Sequence, residues 1–236
     1  MHMIRYAQLP VTYDVEAIQS ELLSSKKNWQ PHFNTRDYTG LWNVLPLRSP
    51  GGTTANIYAD LMGNQTYADT AYIEQFPTVK KIIAGLECPV MSVRFLNLQS
   101  GSAIKKHKDN ELAFEKGEAR LHLPVFTNPG VEFYCEDERI FLKEGECWYL
   151  NANLPHSVAN NGQIDRIHLV IDCGVNDWLK ELMASATQIA QKYIDKRPEI
   201  INTIAMLRSH NTEAANDLAN KLEQELELLK AEDSQI

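Results

Sequence analysis

Between residues 90 and 173 this chain breaks into short apolar segments separated by turn residues, and that rhythm constrains its fold more than any other feature. The segments cover 90–98, 120–126, 131–135, 139–142, 146–151 and 163–173. Gly101, then Asn128, Pro129 and Gly130, then Lys143, Glu144 and Gly145, then Asn160, Asn161 and Gly162 punctuate them. Strands this short and this evenly spaced predict an all-β barrel or a double-sheet jelly roll. The interior of such a barrel is polar only where something binds in it.

The flanks read differently. Residues 1–89 form a mixed α/β portion supporting the barrel, with a helix-like stretch over 15–25 and turn signals from Ser49 to Gly52. A second helical stretch over 72–85 contains Pro77, which suits a helix start better than an interior. Downstream, Trp178, Leu182, Ala186, Ile189 and Tyr193 recur at three-to-four spacing, predicting a helix that Pro198 ends. Residues 200–207 are a second helix, and a third starts near 212 with Leu218, Leu222, Leu226 and Leu229 on one stripe. The organisation expected is therefore 1–89, a barrel core over 90–177 and a C-terminal helical extension over 178–236. The extension suits either a cap on the barrel or a dimerising coil, so monomer and homodimer both stay open.

A net charge of −8 argues against nucleic acid or an anionic membrane surface as the main partner. No apolar run is long enough to span a bilayer, and residues 1–30 contain no apolar targeting segment. Cys88, Cys135, Cys147 and Cys173 are scattered, without a C-x-x-C pair, and read as reduced residues of a cytoplasmic protein.

The middle third also holds the residues that carry chemistry. His107 and Asp109 are two apart, so on an extended segment they point to one side. His156 follows Leu154 and Pro155, and Arg166 lies ten residues beyond it. Two imidazoles and a carboxylate suit iron(II) with open coordination positions, and an arginine nearby suits a carboxylate held by two hydrogen bonds. Strand parity places Arg166, His168, Val170 and Asp172 on one face, with Ile167, Leu169 and Ile171 on the other. Arg120 and His122 likewise share a face. On a barrel's inner face these groups need anions or metal to meet them, whereas on a solvent-facing sheet the pattern is harmless.

The stretches RFLNLQSGSAIKKHKDN, ARLHLPVFTNP, GECWYLNANLPHSV and DRIHLVIDCGVNDWL, with HFNTRDYTGLWNVLPLRSPGG upstream, carry a resemblance over roughly residues 30–180. This part of the chain resembles the aspartyl/asparaginyl β-hydroxylase family of iron(II)- and 2-oxoglutarate-dependent dioxygenases, in particular the bacterial branch acting on free proline. The resemblance implies a double-stranded β-helix with His107, Asp109 and His156 as iron ligands. It implies Arg166 on the distal carboxylate of 2-oxoglutarate, Arg120 and His122 near its 1-carboxylate, and O₂ as the second co-substrate. The peptidyl hydroxylases of the family lack a metal-bound carboxylate, so Asp109 aligns this chain with the small-molecule branch. A free amino acid would need its own carboxylate partner, for which Arg94 and Arg48 are the candidates, with Trp42 as an apolar wall. His32 and Asp37 rank below them. The alternatives are hydroxylation of Asp or Asn side chains in a protein, a non-catalytic cupin-like ligand-binding protein, and a metal-dependent isomerase or lyase.

Overall fold

The computed structural model describes residues 2–57, 66–109 and 112–233. The chain begins with β1 (His2–Leu9), α1 (Val15–Ser24), β2 (Gln30–Pro31), β3 (Tyr38–Thr39), β4 (Trp42–Pro50), β5 (Tyr67–Asp69) and α2 (Pro77–Gly85). The middle consists of β6 (Val90–Leu98), β7 (Ala103–His107), β8 (Glu118–Phe126), β9 (Val131–Cys135), β10 (Glu138–Ile140), β11 (Cys147–Leu150), β12 (His156–Asn160) and β13 (Arg166–Gly174). It closes with α3 (Asp177–Ala184), β14 (Gln188–Tyr193), α4 (Arg197–His210) and α5 (Glu213–Asp233).

The strands form two sheets. The larger runs β14-β1-β11-β8-β13-β6-β4-β2 with β5 paired on β4, and the smaller runs β10-β9-β12-β7-β3. The pairings are antiparallel, and residues of both sheets line one cavity between them. This is the double-stranded β-helix that the strand rhythm and the resemblance imply. Residues 1–89 contribute β1 and β4 to the same sheet as β6, β8 and β13.

The two faces of the large sheet are chemically opposite. Leu121, Leu123, Val93, Phe95, Ile167, Leu169 and Ile171 belong to one apolar core that also contains Ile18 and Leu22 of α1, Val79 of α2, and Leu179 and Met183 of α3. The hydrophobic core therefore lies between the sheet and its helices. Arg166 and His168 at 1% exposure and Asp172 at 2% occupy the other face, which rules out the solvent-facing alternative for this strand. Burying that many polar groups is tolerable only because they satisfy each other or meet a ligand.

Local chemistry fixes the supporting elements. Asp14 caps α1 by accepting from Ala17 N at 3.0 Å, and Asn176 caps α3 by accepting from Leu179 N at 3.0 Å. Pro77 occupies the first turn of α2, where its missing N–H is harmless. Gly145 takes φ +82° in the turn before β11, a conformation that excludes most side chains.

Two expectations need correction. The helix from Trp178 ends at Ala184, and 188–193 is a strand: Thr187 N donates to Gln8 O at 2.9 Å, so the open edge of β1 claims the segment. Its Ile and Tyr suit a strand as well as a helix. Pro198 then sits in the first turn of α4 and starts a helix instead of ending one.

The chain divides into a unit of residues 4–191, which holds the sheets, and a unit of residues 1–3 and 192–236. In the second, α4 and α5 pack on each other, and Arg208 of α4 reaches Asn220 at 2.7 Å and Glu223 at 3.0 Å on α5. Among the described residues no helix is long and apolar enough to cross a membrane.

A candidate metal centre between the sheets

His107 ends β7 and His156 begins β12, and the two are direct partners across the antiparallel pair. Their ring centroids lie 4.3 Å apart. Asp109 follows two residues later, anchored by its backbone N–H to Ala152 O at 2.8 Å. The donor atoms of His107, Asp109 and His156 all lie within 4.8 Å of one another, with His107 Nε2 3.7 Å from Asp109 Oδ1.

The hydrogen bonds behind these ligands decide whether they can hold a metal. His107 Nδ1 faces Lys105 O at 2.8 Å and His156 Nδ1 faces Leu154 O at 2.9 Å. A carbonyl only accepts, so each ring carries its proton on Nδ1 and leaves the Nε2 lone pair free. Burial first, and then His107, pull the His156 pKa down to about 4, so this ring is neutral at neutral pH. Burial alone would raise the Asp109 carboxyl, but Arg120, with His156, His107 and Arg94 adding to it, holds the carboxyl below its ordinary range. Two imidazoles with free Nε2 lone pairs and a carboxylate fit an iron(II) ion that keeps its remaining positions open.

Arg166, at the start of β13, lines the same cavity. Its Nη2 donates to His168 Nδ1 at 2.8 Å, its Nε has no partner, and its guanidinium lies 5.7 Å from the Phe133 ring centroid. No acid answers it among the described residues, and burial pulls its pKa down to about 9. Arg120 is engaged differently from what the resemblance implies. Its Nε and Nη2 donate to Asp172 at 2.7 and 3.1 Å, and its Nη1 donates to Asp109 Oδ2. His122 lines the cavity with an unpartnered Nδ1, held neutral by burial and by Arg166.

The candidates for substrate contact separate. Trp42 lines the cavity and its buried Nε1 has no partner, so it offers a donor as well as an apolar wall. Arg94 is buried on β6 and pairs with Asp172 at 3.0 Å. Arg48 is corrected: its guanidinium is held by Asp69, Tyr67 O and Val90 O at 2.7–3.2 Å, and it is absent from the cavity lining. Its strand bulges between Pro46 and Arg48, which turns the side chain toward β5. His32, ranked low on sequence, stacks on Trp42 with centroids 3.5 Å apart and planes at 13°. Burial, followed by Arg94, lowers its pKa to about 3. Asp37 pairs with Asn34. A larger cavity of about 620 Å³ opens beyond Phe133 and His168 among apolar side chains, but the metal-binding set lies in the smaller one.

A jelly roll whose sheets bring together, among the described residues, a His-Asp-His set that could hold one metal ion fits a class of mononuclear metalloproteins. Within it, this chain belongs to the aspartyl/asparaginyl β-hydroxylase family, whose model matches residues 12–174. It is 29% identical over 169 residues to an L-proline cis-4-hydroxylase of Rhizobium meliloti, covering 70% of this chain and 60% of that one. It is also 29% identical over 158 residues to an L-proline cis-3-hydroxylase of a Streptomyces species, covering 64% and 54%. The chain thus spans little more than half the length of these relatives. An oxidoreductase of the 2OG-Fe(II) oxygenase family from Burkholderia pseudomallei shares the fold at TM-score 0.52, with 12% identity over 72% of this chain and 84% of that one.

Proposed function

We propose that this protein is an iron(II)- and 2-oxoglutarate-dependent dioxygenase that hydroxylates an unactivated C–H of a free amino acid such as proline. The observation that carries this reading is Arg166: a buried guanidinium without an acid among the described residues, lining the cavity that holds the two imidazoles and the carboxylate. A buried cation of this kind awaits an anionic ligand. The relatives named as L-proline hydroxylases point to the amino acid.

His107 Nε2, His156 Nε2 and Asp109 would hold the iron. When bound, iron couples the oxidative decarboxylation of 2-oxoglutarate by O₂ to oxidation of the substrate C–H. Arg166 would fix the distal carboxylate of 2-oxoglutarate through a two-pronged hydrogen bond, and His168 sets the tilt of that guanidinium. His122 stays neutral beside it, so it adds a donor or acceptor without adding charge.

Arg94 and Arg120 both pair with Asp172, and Arg120 also pairs with Asp109. Arg94, buried in this network although it does not line the cavity, is the arginine retained for the substrate carboxylate, with Trp42 Nε1–H and the stacked His32 as an apolar wall. The cavity is small, about 40 Å³, and is lined by the three candidate ligands, Arg166 and Trp42.

The test is a screen for succinate release across free amino acids and short peptides, with mass detection of a product one oxygen heavier. Release with a free amino acid supports the reading. Release only with Asp- or Asn-containing peptides would move the substrate to a protein side chain. No succinate from iron-loaded protein with any of them would remove the oxygenase reading.

A further inference from the structure

Asp172 touches neither the cavity nor the three ligand side chains, yet two of its hydrogen bonds hold Arg120, which reaches Asp109. Its Oδ1 accepts from Arg120 Nε at 2.7 Å. Its Oδ2 accepts from Arg120 Nη2 at 3.1 Å, Arg94 Nη1 at 3.0 Å and Ser92 Oγ at 2.8 Å. Asp172 and Arg120 are direct cross-strand partners on β13 and β8, so the two-pronged pair is built between two interior strands of the large sheet. The remaining arginine nitrogen, Nη1, crosses to the other side of the barrel and donates to Asp109 Oδ2.

Asp109 needs this contact. It lies past the end of β7, and only its backbone N–H is tied down. A carboxylate there can turn one oxygen to a metal or both. Arg120 occupies Oδ2, and Oδ1 is the oxygen that faces His107 Nε2 at 3.7 Å. A one-oxygen ligand leaves a coordination position free that a two-oxygen ligand would fill.

We propose that Asp172 is the positioning residue of the metal centre: by holding Arg120 on two prongs, it makes Asp109 a one-oxygen ligand. It also neutralises Arg120, which would otherwise place an unbalanced cation against a dication and draw both oxygens of Asp109 away from the metal. Arg120 then orients a ligand instead of binding the co-substrate. The proposal rests on the metal triad described above.

The experiment is titration of the full-length apoprotein with cobalt(II), followed by its visible absorption, whose intensity and shape report coordination number. Asp172→Asn is expected to weaken cobalt binding roughly 10–100-fold, the usual cost of losing an outer partner of a metal ligand, and to change the band shape. If Asp172 acts through Arg120, most of that loss disappears in an Arg120→Gln background, where Asp172→Asn should cost less than about 3-fold. Ser92→Ala removes one hydrogen bond to Asp172 without exposing a charge, and serves if Asp172→Asn does not fold. It is expected to weaken binding a few-fold with the same change of band shape.

Wild-type binding and spectrum in Asp172→Asn would overturn the proposal. So would an undiminished loss in the Arg120→Gln background, which would make Asp172 a merely structural partner of Arg94. Should Asp172→Asn not fold, an unchanged titration in Ser92→Ala would have the same force. Failure of the wild-type protein to bind cobalt at all would instead remove the metal triad itself.

Discussion

Arg166 donates from Nη2 to His168 Nδ1 at 2.8 Å, and no carboxylate among the described residues balances its charge. Because an arginine only donates, His168 carries its proton on Nε2, which is also without a partner. Both residues are 1% exposed, so in the proposed function the pair would supply half of an anion site, held at a cost in stability.

Replacing that arginine therefore has opposite effects on folding and binding. Arg166→Met is expected to stabilise the co-substrate-free protein by roughly 1–3 kcal/mol, by removing an unpaired buried charge. It should also abolish the rise in melting temperature that 2-oxoglutarate gives the iron-loaded wild type. Arg166→Lys should keep metal binding and lose roughly 10–100-fold in 2-oxoglutarate affinity, because an ammonium cannot make the two-pronged contact. Thermal denaturation with and without 2-oxoglutarate reads both effects, and unchanged stabilisation in either variant would remove Arg166 from the site.

Acid should unfold this protein earlier than its carboxylates alone would dictate. Burial holds His122 and His168 well below their ordinary 6.5 in the fold, His122 with the added push of Arg166 and His168 likewise. In the unfolded chain both take up a proton near that value, so the unfolded state binds more protons below it. Their contribution to stability is full above pH 6.5 and falls as the pH drops. The loss is roughly 1 kcal/mol per histidine between pH 6.5 and 5.5. Denaturant midpoints at pH 7.5, 6.5 and 5.5 measure the slope, and His168→Gln should lower it; a flat profile would contradict the burial of these rings.

Metal binding should depend on all three ligands and on their tautomers. His156→Ala is expected to abolish detectable iron(II) or cobalt(II) binding while leaving the apo fold intact, since the ring is held by one backbone hydrogen bond at the edge of the cavity. Calorimetric titration checks the first statement and circular dichroism the second. Metal affinity equal to that of wild type would dissolve the triad.

Trp42→Phe keeps the apolar wall and the stack on His32 but removes the unpartnered N–H. The expected outcome is a rise in KM for the amino acid of roughly 2–10-fold, the worth of one neutral hydrogen bond, with 2-oxoglutarate affinity unchanged. An unaltered KM would leave Trp42 as a wall only.

How much of this was readable in the chain follows from which signals are local. Parity on the segment around Arg166 and His168 gave the polar inner face, because alternation depends on one strand only. The cross-strand pair Asp172–Arg120 was hidden, although both residues were visible on their faces. It needs the register of two strands whose paired residues are 52 apart in sequence. β7 and β12 carry both histidine ligands but are only five residues long, and β7 reads as AIKKH, too polar and short to register as a strand. β4 was obscured by Pro46 and Pro50, whose missing donors are absorbed at a bulge and a strand end. The helix expected through Tyr193 failed for a tertiary reason, the free edge of β1, which no helical periodicity in 178–193 could reveal.

The most direct measurement of the central claim is the visible spectrum of the protein reconstituted anaerobically with iron(II) and then 2-oxoglutarate. Iron chelated by 2-oxoglutarate has a weak visible charge-transfer absorption. That band is expected with the wild-type protein, to need the triad, and to require far more 2-oxoglutarate in Arg166→Lys. Iron demonstrably bound, with no such band at saturating 2-oxoglutarate, would contradict the account.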